Sequence, residues 1–453
     1  MPDPVIAAFR FGFGLPLPDA APTSPQTMLA ALSGPDSQLL AHPGPTTAQI
    51  FPLMAAATAA QKARRQAPPD QQPAATAAYR AALAPINALA LGAAKGAFAR
   101  ALDAPDGFRE RLALFWADHF TTRARARDQA ALPAALMDEA IRPHLTGRFA
   151  DLLSAAILHP AMLAYLDQGA SMGPNSRAGQ RRGRGLNENL ARELLELHTL
   201  GVGAGYDQTD VRELAKALTG LIIGPAGQDF SAARAEPGAE VVLGTRYDGP
   251  ALAPIRAVLH DLAVHPQTAR HIAQKLAVHF VSDSPDADLV AALEQAFLTT
   301  QGDLMAVYGA LLHHPAAWRP QAAKVRQPFE FMVAALRALG VSGLDVMQMT
   351  DRHFRRRLHN PLRAMGQPWQ QAPGPDGWPE APDRWITPPH LAARILWAMQ
   401  AATIWNHTPD PQALLTRALG PRASPALVWA VPRAETTAQA RGLVLASAEF
   451  NRR

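Results

Sequence analysis

One stretch near the middle of the chain reads Asn187-Glu188-Asn189-Leu190-Ala191-Arg192-Glu193-Leu194-Leu195-Glu196-Leu197-His198. At about 100° per residue, its leucines gather on one side of a helix and most of its charged residues on the other. This period is typical of an amphipathic helix that lies on a hydrophobic core. Most other segments repeat the period, so we predict a mainly α, multi-helix globular bundle with at most one short strand or hairpin near 230–247.

The composition agrees with this fold class. The chain has 453 residues, of which 48% are hydrophobic and 18% charged, as in ordinary globular proteins. Alanine and leucine, which are both good helix formers, are frequent. The 41 prolines and 31 glycines fit many helices that are separated by short, stiff connections.

The pattern divides the chain into three ranges, which can together form one continuous domain. We expect an N-terminal helical segment over 1–65, a central helical core over 76–345 and a C-terminal helical segment over 346–453. Residues 66–75 are rich in proline and glutamine, which indicates a loop between the first two ranges.

Charge and cysteine content exclude several classes of function. The net charge is +5, and acidic residues are interspersed with basic ones apart from the run 177–184, so nucleic acid is not favoured as a partner. The absence of cysteine excludes disulfides, thiolate metal sites and cysteine nucleophiles. No signal peptide and no membrane span of ~20 apolar residues is recognised, so a cytoplasmic location is the default expectation, with no cofactor evident.

The polar side of the quoted stretch is the first candidate site. Glu188, Arg192 and Glu196 follow one another at i,i+4 spacing, with Glu193 beside them. On an exposed helix they would form a solvated ladder of charges. If neighbouring helices cover them, the same carboxylates can serve as acid–base groups of a hydrolase or transferase, with Arg192 and the pair Asn187 and Asn189 orienting the substrate.

The segment before this helix is the second candidate. Arg181, Arg182, Gly183, Arg184 and Gly185 interleave guanidinium groups with glycines, directly before a helix N-terminus. Backbone N–H groups and arginines can together bind a phosphate, sulfate or carboxylate, and the same residues can equally form a solvated basic loop. The side-chain amides of Asn187 and Asn189 complete this candidate ligand-binding surface.

Helix boundaries around the two candidates follow from capping residues. We expect Asn187 to cap the helix, which would end near Gly201 or Gly203. Thr209 is the expected cap of the next helix, which would end near Gly220.

Histidines recur in two patterns. His-Pro pairs stand at 159–160, 265–266 and 314–315, where they could gather a metal or simply form corners between helices. Proline suits the first turn of a helix, so we predict corners and no metal site. His119, His198 and His279 fall on apolar stripes, which is typical of hydrogen-bonded core histidines. Because Asp118 and His119 are sequence neighbours, they point apart and cannot form a dyad with each other.

Three tryptophans lie in a long segment, 366–389, that is rich in proline and glycine. Long ordered loops are often functional. Exposed rings at Trp369, Trp378 and Trp385 would stack on a sugar or a partner peptide, whereas rings that fold back would fill the core.

Motifs over nearly the whole chain point to one family. The segment Gly185-Leu186-Asn187-Glu188-Asn189-Leu190-Ala191-Arg192-Glu193 continues to Glu196-Leu197-His198-Thr199-Leu200-Gly201. Further motifs are Phe115-Trp116-Ala117-Asp118-His119-Phe120, His159-Pro160-Ala161-Met162-Leu163 with Tyr165-Leu166-Asp167, Ala217-Leu218-Thr219-Gly220, His265-Pro266 with Lys275-Leu276, Pro328-Phe329-Glu330-Phe331, Gly366-Gln367-Pro368 with Gly377-Trp378-Pro379, and Leu445-Ala446-Ser447-Ala448-Glu449-Phe450. In these segments the chain resembles the large bacterial family called domain of unknown function 1800 (DUF1800).

The resemblance implies a mainly helical protein, without assigned catalytic residues. Members are often encoded beside a second family that resembles alkaline phosphatases and sulfatases, which implies a protein partner of that kind. Many members carry an export leader, which points against the cytoplasmic default. Members also tend to have a histidine–aspartate segment where this chain has Ala235-Glu236-Pro237-Gly238.

The leading expectation is therefore a helical binding or accessory protein with an anion-binding surface. The alternatives are a hydrolase or transferase that uses Glu188, Glu193 or Glu196, and a glycan-binding module that uses the tryptophan segment. Whether the chain is an enzyme stays open at this point.

Overall fold

A computed structural model of the chain describes residues 3–15, 24–182, 185–225, 227–320, 324–405 and 409–453. The predicted class is confirmed, because helices account for most of these residues and the strands are few and short. The helices of the first half are α1 Pro4–Arg10, α2 Pro25–Ser33, α3 Ser37–Ala41, α4 Thr47–Gln66, α5 Gln72–Asp103, α6 Phe108–His119, α7 Leu132–Leu136, α8 Phe149–Leu158, α9 Pro160–Tyr165, α10 Arg177–Arg182, α11 Asn189–Glu193 and α12 Gln208–Ala217.

The helices of the second half follow two small hairpins. They are α13 Ala253–Val264, α14 Pro266–Phe280, α15 Ala287–Thr299, α16 Leu304–His313, α17 Pro328–Ala338, α18 Gly343–Met347, α19 Asp351–Phe354, α20 Asn360–Ala364, α21 Pro382–Trp385, α22 Pro388–Ile404, α23 Pro411–Leu419, α24 Pro425–Ala430 and α25 Thr437–Ala446. Wider π-helical turns occupy Met137–Ile141, Leu194–His198 and Arg355–His359. Short 3-10 turns occupy Arg127–Gln129, Arg142–His144, Gln168–Ala170, Pro315–Trp318, Gly420–Arg422 and Val431–Arg433.

The two hairpins lie between α12 and α13. Strand β1 Leu221–Gly224 pairs antiparallel with β2 Gly227–Phe230, and β3 Glu240–Val242 pairs with β4 Thr245–Tyr247. Leu243 and Gly244 between β3 and β4 both have positive φ, at 50° and 76°, which suits a two-residue hairpin turn. The second hairpin lies in the predicted range, and the first, over 221–230, is an additional element that the sequence did not indicate.

The His-Pro corners are confirmed as helix caps. The Nδ1 atoms of His159, His265 and His314 each accept a hydrogen bond from the backbone N–H two residues further on, at 3.1, 3.2 and 3.3 Å. A proline follows each histidine at the first helical position, where its missing N–H leaves no donor unpaired.

Two sequence-based boundaries are wrong. The cap of α12 is Asp207, not Thr209, because the Asp207 carboxylate accepts from the backbone N–H groups of Thr209 and Asp210 and forms a capping box. A carboxylate at this position also interacts favourably with the helix dipole. The predicted loop over 66–75 is shorter, because α4 continues to Gln66 and α5 begins at Gln72, with Pro73 in its first turn.

The buried side chains form two hydrophobic clusters. The larger one draws on the segments from α1 to the turn after α16. The second combines residues of α1 and the last half of α5 with α17 and the C-terminal helices. Both clusters therefore join segments from more than one of the three predicted ranges.

Among the described residues, α5 is one helix that is long and apolar enough to cross a membrane by length and composition alone. This is weak evidence for a membrane span, because a long core helix passes the same test.

Candidate functional site

Two helices at the centre of the molecule face each other with polar side chains. An Arg111 Nη atom lies 3.1 Å from His279 Nε2, the rings of Phe115 and His279 are 5.2 Å apart, and those of His119 and His271 are 6.3 Å apart. Residue numbers thus rise along α6 while they fall along α14, so the two helices are antiparallel where they meet.

Asp118 lies at the end of α6 and is held by the tryptophan segment. Its Oδ1 accepts a hydrogen bond of 2.8 Å from the backbone N–H of Trp378. The turn Gly374-Pro375-Asp376-Gly377 brings that N–H into place, with Gly377 N–H donating to the Gly374 carbonyl at 3.3 Å. Among the described residues, none donates a hydrogen bond to Asp118 Oδ2, so this oxygen is available to a ligand.

The surroundings of Asp118 favour its protonated form. Burial raises the pKa of its carboxyl to about 7, and the Lys275 ammonium and the Trp378 N–H oppose this rise only in part. A carboxyl with a pKa near 7 can give or take a proton at neutral pH.

Lys275 lies between His271 and His279 at i,i+4 spacing on the same face of α14. Burial lowers the pKa of its amine, although Asp118, Glu380 and Asp376 favour the charged form. Within the described part of the chain, Lys275 makes no hydrogen bond and no ion pair within 4 Å.

Three imidazoles, those of His119, His198 and His271, lie near enough to this lysine for its charge to lower their pKa values. His119 Nε2 lies 3.2 Å from the His198 carbonyl, and His271 Nε2 lies 3.1 Å from the Leu197 carbonyl. A carbonyl accepts only, so both Nε2 atoms carry the proton and the Nδ1 atoms carry lone pairs. These carbonyls come from the π-helical turn at the end of α11, where the last carbonyls of a helix lack intrahelical partners.

The same histidines are neutral, with His119 and His198 buried and His271 half-buried. Burial lowers the pKa of His198 to about 3 and that of His271 to about 4, and it holds the pKa of His119 well below its usual value. Both ring nitrogens of His198 lack a hydrogen-bond partner among the described residues. No group of three or more histidine, aspartate or glutamate side chains in the described ranges has the positions to hold a metal ion.

A cavity of about 90 Å³ opens beside Asp118. Its walls include the half-buried rings of Trp369 and Trp378 and the buried amides of Gln327 and Gln367. Gln367 Nε2 donates to Gln327 Oε1 at 2.9 Å, and the Gln327 amide nitrogen has no acceptor among the described residues. Among the described residues that line the cavity, none is lysine or arginine.

One wall of the cavity, which includes Glu330 and His279, belongs to a network of buried ion pairs and hydrogen bonds, in which His279 is neutral because burial lowers its pKa to about 4. Glu330 binds Arg111 at 3.0 Å and Arg453 at 2.8 Å, while Glu380 binds His279 Nδ1 at 2.6 Å and Lys324 at 2.7 Å. These pairs join α6, α14, α17 and the tryptophan segment. They hold in one position the elements that carry Asp118, Lys275 and Trp378.

The tryptophan segment folds back onto the body of the protein. Trp385 is 2% exposed and its Nε1 donates to the Pro379 carbonyl at 2.8 Å, while the rings of Trp378 and Trp385 are 5.9 Å apart. Of the two sequence-based alternatives, the structure therefore shows rings that pack inward, with Trp369 and Trp378 facing the cavity.

The predicted charge ladder forms at the surface. Arg192 binds Glu188 at 3.3 Å and Glu196 at 3.5 Å, and its side chain is 40% exposed. Gln208 completes the ladder, because its Nε2 donates to Glu188 and its Oε1 accepts from Arg192. This arrangement resembles a solvated ladder more than a covered site.

Glu193 differs from the ladder residues. Its side chain is half-buried, and burial together with the nearby Glu196 and Asp376 carboxylates raises its pKa. Asp376 belongs to the turn that holds Asp118. Glu193 therefore lies near enough to this turn for Asp376 to affect its pKa.

The predicted glycine–arginine loop is described only in part. Arg181 is exposed at the end of α10, whereas the Arg182 side chain, Gly183 and Arg184 lie outside the described residues. Gly185 and Asn189 are exposed. The amide of Asn187 is occupied locally: its nitrogen donates to the Leu166 and Asp167 carbonyls at 3.0 Å and its oxygen accepts from the Asn189 N–H, so α11 starts two residues after the expected cap.

Sequence reasoning missed Asp118, Lys275 and Asp376 as parts of one centre. Each stands alone in its own segment, and none has a charged partner at helical spacing that would mark it. The proximity depends on the antiparallel packing of α6 and α14, which no local pattern shows.

Comparisons with known proteins found neither a curated protein nor a solved structure that matches this chain. One protein-family model matches it over residues 7–452, and that model is described as Protein of unknown function (DUF1800). The match covers nearly the full length and agrees with the resemblance seen in the motifs. The chain therefore belongs to the DUF1800 family.

Proposed function

We propose that this protein is an enzyme, a hydrolase or transferase, that uses Asp118 as an acid–base group on a small uncharged substrate. The observation that carries the proposal is the position of the Asp118 carboxyl in a cavity wall. Trp378 fixes one of its oxygens, the other has no partner among the described residues, and burial raises its pKa to about 7. Perturbed carboxyls in cavities are candidates for acid–base catalysis.

The residues that line the cavity favour an uncharged substrate. Lysine and arginine are absent from its described lining, so a phosphate, sulfate or carboxylate would find no cation there. The rings of Trp369 and Trp378 offer flat apolar surface, and the amides of Gln327 and Gln367 offer hydrogen bonds. This combination suits a hydroxylated molecule with an apolar face, such as a monosaccharide.

Glu193 extends the hydrolase or transferase proposal from the sequence. Its half-buried side chain, its raised pKa and its closeness to Asp376 make it a candidate for a second acid–base group. Glu188, Glu196 and Arg192 are less suited to catalysis, because they satisfy one another at the surface. We propose that they stabilise α11 and thereby keep Glu193 in position.

The test is a panel of esters, glycosides, phosphoesters and small carbonyl compounds assayed with wild type, Asp118→Asn and Asp248→Asn. Asp248 is an exposed aspartate directly after β4 and serves as the matched control. We expect Asp118→Asn to lose activity by about 100-fold or more, as for a removed acid–base group. Activity that survives in Asp118→Asn, or none in the entire panel, would count against the proposal.

An anion-binding or partner-binding surface stays a second proposal, because Arg177 and Arg181 on α10 are both exposed directly before α11. The phosphatase- or sulfatase-like partner implied by the family would be one occupant. Isothermal titration of wild type and Arg181→Ala with phosphate and sulfate tests the surface. Equal heats from both proteins, or none, would contradict it.

A further inference from the structure

The side-chain amides of Gln327 and Gln367 lie in the wall of the cavity that Asp118 also lines. Both side chains are 8% exposed. Their backbones are held in place, because the Gln327 carbonyl accepts from the Phe331 N–H at 2.9 Å and the Gln367 N–H donates to the Leu362 carbonyl at 3.1 Å. The two amides therefore have fixed positions in the wall.

One backbone group decides which way these amides point. The N–H of Phe329, in the first turn of α17, donates to Gln367 Oε1 at 2.8 Å. N–H groups of a first turn lack an acceptor within the helix, so this one requires the oxygen of the Gln367 amide and not its nitrogen. Gln367 Nε2 then faces Gln327 Oε1 at 2.9 Å, which leaves the Gln327 nitrogen on the outer side of the pair.

The Gln327 nitrogen faces the cavity. It has no acceptor among the described residues, yet it is not enclosed in the way that the unpaired Nε1 of Trp369 is. Because Gln327 lines the cavity, its N–H groups have their accessible surface there. An amide nitrogen only donates, and a donor in so buried a position is costly unless a ligand or water accepts from it.

The chain of hydrogen bonds also strengthens this donor. It begins at the N-terminus of α17, where the dipole of an 11-residue helix places partial positive charge. Linked hydrogen bonds polarise one another, so the Gln327 N–H groups are more strongly polarised than those of an isolated amide. A donor that is fixed before the ligand arrives suits an oxygen on which negative charge develops during a reaction.

We propose that the Gln327 amide binds the carbonyl oxygen of the substrate, and that the substrate is an uncharged ester or amide. The proposal rests on the proposed function for the role of Asp118 and narrows its substrate class to molecules with an acyl group. An uncharged acyl compound fits a lining whose described residues include no lysine or arginine. The contact between Gln327 and a carbonyl oxygen can be tested without any turnover.

Ester hydrolysis balances with these two residues and water. The Asp118 carboxylate takes a proton from water, whose oxygen attacks the carbonyl carbon while the C=O π electrons move to the oxygen that Gln327 binds. The C=O bond then re-forms, the bond to the alcohol oxygen breaks, and that oxygen takes the proton from Asp118. The sum is ester plus water to carboxylic acid plus alcohol. Burial raises the pKa of Asp118 to about 7, so both of its forms are available at neutral pH.

Two probes of nearly equal shape test the donor. Cyclohexanone has a carbonyl oxygen, methylenecyclohexane has none, and ligand-observed NMR with the full chain at pH 7 measures both dissociation constants. We expect the ketone to bind wild type at least about fivefold more tightly, which corresponds to one hydrogen bond. Water solvates the ketone better than the hydrocarbon, so a cavity without a donor would favour the hydrocarbon. Equal binding, or tighter binding of the hydrocarbon, would overturn the proposal.

Two variants assign the preference to one side chain. Gln327→Leu should abolish it, while its circular dichroism stays that of wild type. Thr122→Val is the matched control, because Thr122 is buried in the same cavity wall and loses only its hydroxyl. A preference that survives in Gln327→Leu, or that Thr122→Val removes, would overturn the assignment to Gln327.

Turnover separates this result from that of the proposed function. With an ester or amide that wild type hydrolyses, Gln327→Leu should lower kcat by about 100-fold and change KM much less, as for a lost donor to a developing oxyanion. A ketone preference in a protein that turns over no substrate would support the Gln327 contact and count against the proposed function. Asp118-dependent turnover of glycosides, with no ester or amide hydrolysed, would support the proposed function and overturn the substrate class.

Discussion

The backbone N–H of Trp378 donates a hydrogen bond of 2.8 Å to Asp118 Oδ1, although 260 positions separate the two residues. Gly377, directly before Trp378, has a φ of +84°, and a Cβ atom there would lie 2.7 Å from the same oxygen. The turn can therefore approach the carboxylate only with glycine at this position.

The first prediction concerns this turn. Gly377→Ala should destabilise the protein by about 2–3 kcal/mol, because it adds the strain of a positive φ to a clash with Asp118. Gly203→Ala is the matched control, since Gly203 has a φ of +76° and open space around its Cβ position. Urea unfolding of both variants measures the difference, and equal losses would show that the contact with Asp118 is not tight.

The second prediction is the pH dependence that Asp118 causes. Its folded pKa of about 7 lies above the ordinary value of 3.8, so the folded state binds more protons between these values. The contribution of Asp118 to the free energy of unfolding is therefore fully present below about pH 4 and is lost as the pH rises to 7. Asp118→Asn should remove the fall and raise the free energy of unfolding at pH 7.5 by about 2 kcal/mol, a figure reduced from the full shift because the carboxyl lines a cavity.

Urea unfolding between pH 4 and pH 8 measures this effect. The difference in unfolding free energy between Asp118→Asn and wild type should grow with pH and level off above pH 7. A difference that is the same at every pH would mean that Asp118 has an ordinary pKa.

More of the fold than of the candidate site could be predicted from the sequence. Helices could be predicted because their signals are local: the leucines of the 187–198 stretch recur at helical spacing, and each His-Pro pair caps a helix through its own neighbours. The hairpin over 221–230 has a short strand and a glycine-rich turn, so its period is too brief to detect.

The site depends on contacts between distant segments. The ladder of Glu188, Arg192 and Glu196 can be predicted from the sequence, because its members are four residues apart on one helix. These side chains pair with one another at the surface and need no partner from a distant segment. Asp118 and Lys275 come near enough to affect each other's pKa only when α6 and α14 pack antiparallel. A single sequence carries no signal for that packing.

The third prediction concerns the buried histidines. His198 is fully buried with both ring nitrogens unpaired among the described residues, which costs about 1–3 kcal/mol per lost partner. Its neighbours on the helix face are leucines, so His198→Leu should leave stability unchanged or raise it. His119→Leu should lower stability by about 1–2 kcal/mol, because it leaves the His198 carbonyl without its donor.

Thermal and urea unfolding at pH 7 distinguish the two histidines. A loss in His198→Leu as large as that in His119→Leu would mean that a bound group, such as an internal water, satisfies the His198 ring in solution.

The fourth prediction concerns the ion pairs of Glu330 at the cavity wall. Glu330 is buried between Arg111 and Arg453, at 3.0 and 2.8 Å, and these guanidinium groups hold the pKa of its carboxyl below the usual value in spite of burial. Glu330→Gln keeps the shape but leaves two buried cations without their carboxylate, so we expect a loss of about 3–5 kcal/mol. Glu188→Gln, at the exposed end of the surface ladder, should change stability by less than about 0.5 kcal/mol.

The pKa of Glu330 is lower in the folded state than in the unfolded state. The stabilisation that its charge gives to the folded state is therefore present above the unfolded pKa and is lost as the pH falls through the folded pKa. The gap between wild type and Glu330→Gln should therefore narrow toward pH 3 in urea unfolding. A gap that stays constant into acid would show that packing around the side chain, and not its charge, joins α17 to the Asp118 centre.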